Sequence, residues 1–351
     1  MLPDATDRVP LPPVLVGHLT PEVRRRVENF YASVADQFEA WVGRRKSPHT
    51  QRAYHQDVEC FIKFMAFEWP EESWRMYTVS VKDVQAFREH LIMGQAAPKT
   101  LNRRISSLSS FYKFLAATAA ELRLPITVPN PAHAQFICRE SNDPLYETKA
   151  LSATRARQLM GMPAGDSLVD VRDRAILKFY LYTAARLGAG CRLKVSDFHR
   201  DGEEATIRLC EKGGRHRTIG LHFAAAEAMA DYVDRAGLTG GPLFRPRASS
   251  NGEKLADRNF NPMGMYHLIM GYLRRLPGAM KREILRDGRT VPRCIYTPHS
   301  IRATAATLLL GAGVDMRKVQ DLLGHRHVTT TQIYDKRRIA VSESASHDVP
   351  I

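Results

Sequence analysis

The stretch LGHRHVTTTQIYDK, Leu323 to Lys336, places two histidines and a tyrosine close together just after a glycine. Three chemistries suit those residue types. A phenol becomes a nucleophile when a base takes its proton and cations stabilise the charge it creates. Two imidazoles, His325 and His327, are potential ligands for a metal ion. A tyrosine after a helix stopped by Gly324 can also do no more than fill a core gap. The stretch alone does not choose among these.

Further residues of the same kind lie upstream. Thr297 can cap a helix with Pro298 in its first turn, which puts His299 and Arg302 three residues apart on one face near a helix N-terminus, an arrangement suited to binding an anion. In YTAARLGAGCRLKVSDF, Arg186 stands among Ala184, Ala185, Gly188 and Ala189, where another backbone can approach closely. Lys212 falls at the tip of a hairpin signal, ATIRLCEKGGRHRTIGL, in which Ile207 and Leu209 alternate with Arg208 and Cys210, the chain turns at Gly213-Gly214, and it returns through Thr218 and Ile219. The helix read from DMRKVQDLL starts at an Asp315 cap and ends at Gly324. Thr329 and Thr330 are placed to cap a further short helix carrying Tyr334.

The chain has to hold these residues together. Its 351 residues are long for one hydrophobic core, so two domains are expected. Lys and Arg number 51 against 37 Asp and Glu, a formal charge of +14. That favours a polyanionic partner bound through phosphate contacts and counterion release, nucleic acid before any other; a merely solvated basic surface is the competing reading. The cysteines Cys60, Cys138, Cys191, Cys210 and Cys294 are odd in number and scattered, with no CxxC pair for zinc or a disulfide framework, which fits a reducing cytoplasm. No run approaches the roughly 18 apolar residues of a membrane span. The proline-broken start MLPDATDRVPLPPVLV lacks the features of a signal peptide. A soluble, cytoplasmic chain without membrane contact is expected.

Apolar periodicity gives the organisation. Val58, Phe61, Ile62 and Met65 recur at helical spacing, as do Leu101, Ile105, Leu108, Phe111 and Leu115. On the other face of the second helix stand Lys99, Arg103 and Arg104 with small hydroxyl residues between them, a surface able to approach a phosphate backbone. Pro125, Pro129 and Pro131 then interrupt helix. The expected layout is a flexible arm at 1–20, a helical domain at 21–120, a linker at 121–148, a second domain at 149–340 and a polar tail at 341–351. The fold class is mainly α with a small antiparallel β-sheet.

Taken in order, the T-x-x-R-L turn with Arg186, Lys212 before a glycine turn in a hairpin, H-x-x-R with His299 and Arg302, L-G-H with His325, and Tyr334 nine residues on resemble the tyrosine recombinase or phage integrase family. TQRAYHQDVECFIKFM followed by TLNRRISSLSSFYKFL is similar to that family's helical core-binding domain, so the likeness runs over roughly residues 30–340. It implies a helical core-binding domain joined to a mixed α/β catalytic domain, and site-specific cleavage and rejoining of double-stranded DNA through a 3′-phosphotyrosyl intermediate. It implies Tyr334 as nucleophile, Arg186 and Arg302 on the phosphate, His299 assisting proton transfer, His325 hydrogen-bonding the phosphate and Lys212 protonating the departing oxygen. No metal or other cofactor is implied, since the cations stand in for one. A homotetramer on two DNA sites, with residues 337–351 packing in trans, and accessory DNA-bending proteins are further implications. In this chain Ala189 stands where many members of the family carry an acid. That departure keeps a catalytically weakened DNA-binding relative as the alternative, with a type IB topoisomerase-like enzyme as a third reading.

Overall fold

The structure, a computed structural model, describes residues 20–140, 148–202, 204–210, 214, 216–249, 252–284 and 288–335. The chain divides into two compact units, Met1–Asn142 and Asp143–Ile351.

The first unit is helical: α1 (Pro21–Ala32), α2 (Val34–Gly43), α3 (Pro48–Phe64), α4 (Val81–Met93) and α5 (Pro98–Glu121). Proline opens α1, α3 and α5 at positions whose N–H would have no partner in any case. Ser80 and Asp83 close a reciprocal capping box on α4. The stripe Leu101, Ile105, Leu108, Phe111 and Leu115 of α5 is buried throughout, against Val58, Phe61, Trp41 and Phe87. The chain after α5 is not a bare connector. Leu124, Val128, Ala132 and Ile137 are buried in the same core, and Asn130 Nδ2 donates to Ser109 O at 3.2 Å. The prolines stop helix there, but the apolar residues around them still pack.

The second unit begins with α6 (Ala153–Gly161), capped by Ser152, and α7 (Leu168–Thr183), capped by Ser167. Val171, Ala175, Ile176, Phe179 and Tyr180 bury α7 on nearly every side, as expected for a central helix. After α8 (Leu187–Cys191) comes a three-stranded antiparallel sheet, β1 (Phe198–Asp201), β2 (Glu204–Cys210) and β3 (His216–Gly220), in that order. The register pairs Leu209 with Arg217 and Cys210 with His216. Ile207 and Leu209 face the core, as their alternation predicts. Then follow α9 (Phe223–Arg235), α10 (Pro262–Arg274), a second hairpin of β4 (Met280–Ile284) and β5 (Thr290–Cys294), α11 (Pro298–Gly311), α12 (Met316–Leu323) and α13 (Thr329–Gln332).

Two local readings differ from the outcome. The β4–β5 hairpin was not legible, because its strands are mostly exposed on both faces and carry no apolar alternation. Neither Thr329 nor Thr330 caps α13. The backbone is already right-handed helical at Val328, and Thr330, Thr331 and Gln332 donate to the carbonyls of His327 and Val328, so no side-chain cap is needed.

A small apolar cluster of Ala184, Ala303, Ala306, Leu310, Val319, Leu323 and Tyr334 joins the ends of α7, α11, α12 and α13. The alanines matter: short side chains let α11 come close to the end of α7.

Candidate active site

The site is built where those helix ends meet. Thr297 N–H donates to Ser300 Oγ at 3.0 Å at the start of α11, fixing its first turn. That turn holds His299 exposed, while Arg302, one turn further on, is 2% exposed. Arg302 donates from Nη1 to Ala184 O and from Nη2 to Leu323 O, each at 2.6 Å. Ala184 closes α7 in the left-handed region, φ 49°, a conformation that costs an alanine roughly 1–2 kcal/mol. The Thr183 hydroxyl, accepting from Ala185 N at 3.2 Å and donating to Phe179 O at 2.6 Å, supports the turn. A guanidinium has five N–H donors in a planar fork; with two engaged on carbonyls, the remainder are held in fixed directions.

The same turn presents Arg186, exposed, with Nη2 3.5 Å from Gly324 O. Gly324 caps α12 at φ 62°, where a side chain would be strained. The Asp315 carboxylate caps the other end by accepting from Arg317 N and Lys318 N. His325 follows the glycine. Its N–H donates to Gln320 O at 3.2 Å, and Gln320 Nε2 donates back to His325 O at 3.0 Å. Its Nδ1 lies 2.9 Å from the buried Thr331 hydroxyl. When that hydroxyl donates to Nδ1, the proton of neutral His325 sits on Nε2, the nitrogen then able to donate to a substrate oxygen.

Tyr334 lies just past α13, 9% exposed. Its ring is near parallel to that of His325, 14° between planes and 6.2 Å between centroids. The hydroxyl is 3.2 Å from His299 Nε2. Burial pushes the phenol above its ordinary range, opposed by the charges of Arg302 and Arg186 and a hydrogen bond from Arg302. The hydroxyl is therefore protonated at neutral pH and needs a base, and His299 is the side chain placed to be one. Among the described residues, the fold brings Arg186, His299, Arg302, His325 and Tyr334 together. Lys212 lies outside the described residues, between β2 and β3. His327 is exposed, and no group of three or more His, Cys, Asp or Glu gathers as a metal site among the described residues.

Ala189 is buried in α8. Arg302 is held by the main-chain carbonyls of Ala184 and Leu323. Sequence reasoning missed Thr331, whose hydroxyl lies 2.9 Å from His325 Nδ1. It also missed Arg217, which reaches α12 from β3.

The basic face of α5 is more involved than the sequence suggests. Arg103 Nη1 is 2.6 Å from Asp57 Oδ2, and Arg104 Nε is 4.0 Å from Asp57 Oδ1. Ser107 Oγ donates to the same carboxylate at 2.7 Å. The Asp57 side chain is wholly buried, and burial raises its pKa against the lowering effects of Ser107, Arg103 and Arg104. Ser107 and Ser109 thus face inward, not between the cations on the surface. Lys99 is exposed.

Comparison with known proteins gives a consistent result. The phage integrase family model matches residues 149–339, and the model of the phage integrase N-terminal SAM-like domain matches residues 35–118. The chain is 28% identical over 297 residues to tyrosine recombinase XerC of Anoxybacillus flavithermus, covering 82% of this chain and 87% of the relative. It is 27% identical over 314 residues to tyrosine recombinase XerC of Myxococcus xanthus, covering 88% and 91%. Its fold is similar to that of XerH site-specific recombinase bound to difH substrate, with TM-score 0.65, 14% identity and coverage of 94% and 97%. It is also similar to that of a lambda integrase dimer bound to a core site, with TM-score 0.61, 17% identity and coverage of 93% and 85%.

Proposed function

Since the chain belongs to the phage integrase family, we propose that it is a site-specific DNA recombinase that cuts and rejoins strands through a 3′-phosphotyrosyl intermediate, without a metal. The observation that carries the assignment of roles is the approach of His299 Nε2 to the Tyr334 hydroxyl, 3.2 Å, beside Arg186 and Arg302.

In this reading Tyr334 Oη attacks the phosphorus of a backbone phosphodiester. The Oη–P bond forms and the P–O5′ bond breaks. The phenolic proton passes to His299 Nε2, and the departing 5′ oxygen takes a proton from Lys212. Negative charge builds on the nonbridging oxygens, where the guanidinium groups of Arg186 and Arg302 and the Nε2–H of His325 donate to it. Arginine suits the task because its planar fork stays protonated at any relevant pH. The phosphotyrosyl diester conserves the energy of the broken bond, so a 5′ hydroxyl from another strand reverses the step without ATP and returns the tyrosine.

Exchange between two duplexes requires four cuts, so the working form is a homotetramer on two double-stranded sites, with accessory DNA-bending proteins shaping the complex; residues 337–351, expected to join protomers, lie outside the described residues. Lys99, Arg103 and Arg104 meet the phosphate backbone from the first unit. The reading places the protein in the cytoplasm with its DNA. It is tested by sequencing the DNA recovered with the protein, placing that site in two labelled duplexes, and following strand exchange in excess EDTA. Exchange by the wild-type chain and none by Tyr334→Phe is expected. Complete loss in EDTA with rescue by Mg²⁺, or exchange by Tyr334→Phe, would contradict it.

A further inference from the structure

The carbonyls that end α12, those of Asp321, Leu322, Leu323 and Gly324, face guanidinium groups brought from other elements. Arg217 on β3 donates from Nη1 to Asp321 O at 2.7 Å and to Leu322 O at 2.6 Å. Arg302 takes Leu323 O, and Arg186 lies against Gly324 O. The last turn of α12 has no basic residue of its own. The partial negative charge at its C-terminal carbonyls, of which Asp321 O also accepts from Gly324 N–H, is therefore compensated from outside the helix.

Two of these arginines belong to the catalytic set. Arg217 does not, and nothing in the proposed chemistry uses it. We propose that Arg217 is a positioning residue for strand cleavage: it fixes the last turn of α12 to the sheet and thereby holds His325 in the active site. This role rests on the recombinase reading of that site.

The connection is short at every step. Arg217 is half-buried and pairs across the sheet with Leu209, which is 0% exposed, so its backbone is set by a strand anchored in the core. The carbonyls it holds adjoin Gln320, the residue bonded in both directions to the main chain of His325. Arg302 has its second anchor at Ala184 O. Releasing the last turn of α12 therefore leaves Arg302 tied on one side, and the loss falls on His325. Both bonds leave one nitrogen, Nη1, at the end of the guanidinium arm, so a lysine ammonium at this position keeps part of the contact while lacking the arginine's rigid planar head.

The test is single-turnover formation of the covalent protein–DNA adduct at saturating nicked duplex bearing the recovered site. The proteins compared are wild type, Arg217→Ala, Arg217→Lys, His325→Ala and the Arg217→Ala/His325→Ala pair. Arg217→Ala is expected to slow adduct formation by on the order of 10–100-fold, as small misplacements do, while DNA affinity stays unchanged; Arg217→Lys recovers part of the rate. Because Arg217 acts through His325, the double variant is expected to be no slower than His325→Ala alone. Effects that multiply in the double variant, or a wild-type rate for Arg217→Ala, would overturn the proposal. Should Arg217→Ala fail to fold, Arg217→Lys combined with His325→Ala gives the same comparison. A wild-type chain that forms no adduct defeats the recombinase reading itself. That result is distinct from multiplying effects in a chain that does form one.

Discussion

His299 Nε2 lies 3.2 Å from the hydroxyl of Tyr334 although 35 positions separate them in sequence. The first turn of α11 carries one and the segment after α13 carries the other. Burial holds the phenol protonated well past neutrality, so in the proposed mechanism this contact decides whether a nucleophile is available.

The pH dependence of His299→Ala follows from that. The phenol's pKa lies above its ordinary ~10, so without a base the phenolate fraction grows about tenfold per pH unit up to and beyond pH 10. At neutral pH the variant is expected to cleave roughly 10²–10⁴ times more slowly than wild type, the usual range for a general base, and its rate should climb with pH. Single-turnover rates from pH 6 to 10 check this. A variant profile parallel to that of wild type would remove His299 from the proton transfer.

Thr331→Val keeps the shape of a fully buried side chain and deletes the hydroxyl 2.9 Å from His325 Nδ1. Losing one hydrogen bond of about 1.4 kcal/mol corresponds to about tenfold. Cleavage should slow by that order while DNA binding holds. An unchanged cleavage rate would show that the hydroxyl does not orient the ring.

Arg302 donates to the carbonyls of Ala184 and Leu323, and the proposed mechanism also sets it on the phosphate. Arg302→Ala is expected to slow adduct formation by on the order of 10²–10³, as for one lost oxyanion donor, and also to lower the thermal midpoint, because two buried carbonyls lose their partner. DNA affinity should change little. A full cleavage rate in the folded variant would show that Arg302 is structural only.

The basic face of α5 separates into two behaviours. Lys99→Ala should lower the slope of log affinity against log salt by about one unit and leave cleavage at saturating DNA intact. Arg103→Ala should lower that slope too and, unlike Lys99→Ala, also destabilise the first unit by about 2 kcal/mol, less than the ~3–5 for breaking a fully buried pair, because the Arg103 side chain is 44% exposed while Asp57 is wholly buried. Adding Asp57→Asn should recover part of that loss. Urea unfolding and salt titrations of the single and double variants measure both. A salt slope unmoved by Lys99→Ala would show that this side chain does not contact the DNA phosphates.

How much of this could be read from the sequence depended on distance along the chain. Asp315 and Gly324 bound α12 by local rules, and Thr297 with Pro298 marks α11, so the helices carrying the site were legible. The spacing of His325 and Tyr334 was legible too, because a short segment carries both. What Arg217 does was not: it bonds to main-chain carbonyls more than a hundred residues away, and a carbonyl leaves no trace in residue type. For the same reason the anchoring of Arg302 could not be foreseen from Ala184. Asp57 lies in a helix pattern that gives no sign that Arg103 will turn toward it. The prolines after α5 announced a break in helix correctly, but Val128 between them and Ile137 beyond them pack into the first core.

The most direct measurement is the chemical identity of the protein–DNA link. Adduct formed on a nicked duplex bearing the recovered site is denatured, digested with protease and nuclease, and the nucleotide-bearing peptide is sequenced by mass spectrometry. The account predicts a nucleotide joined through its 3′ phosphate to Tyr334, and no adduct from Tyr334→Phe. A nucleotide on any other residue, or adduct persisting in Tyr334→Phe, would contradict it.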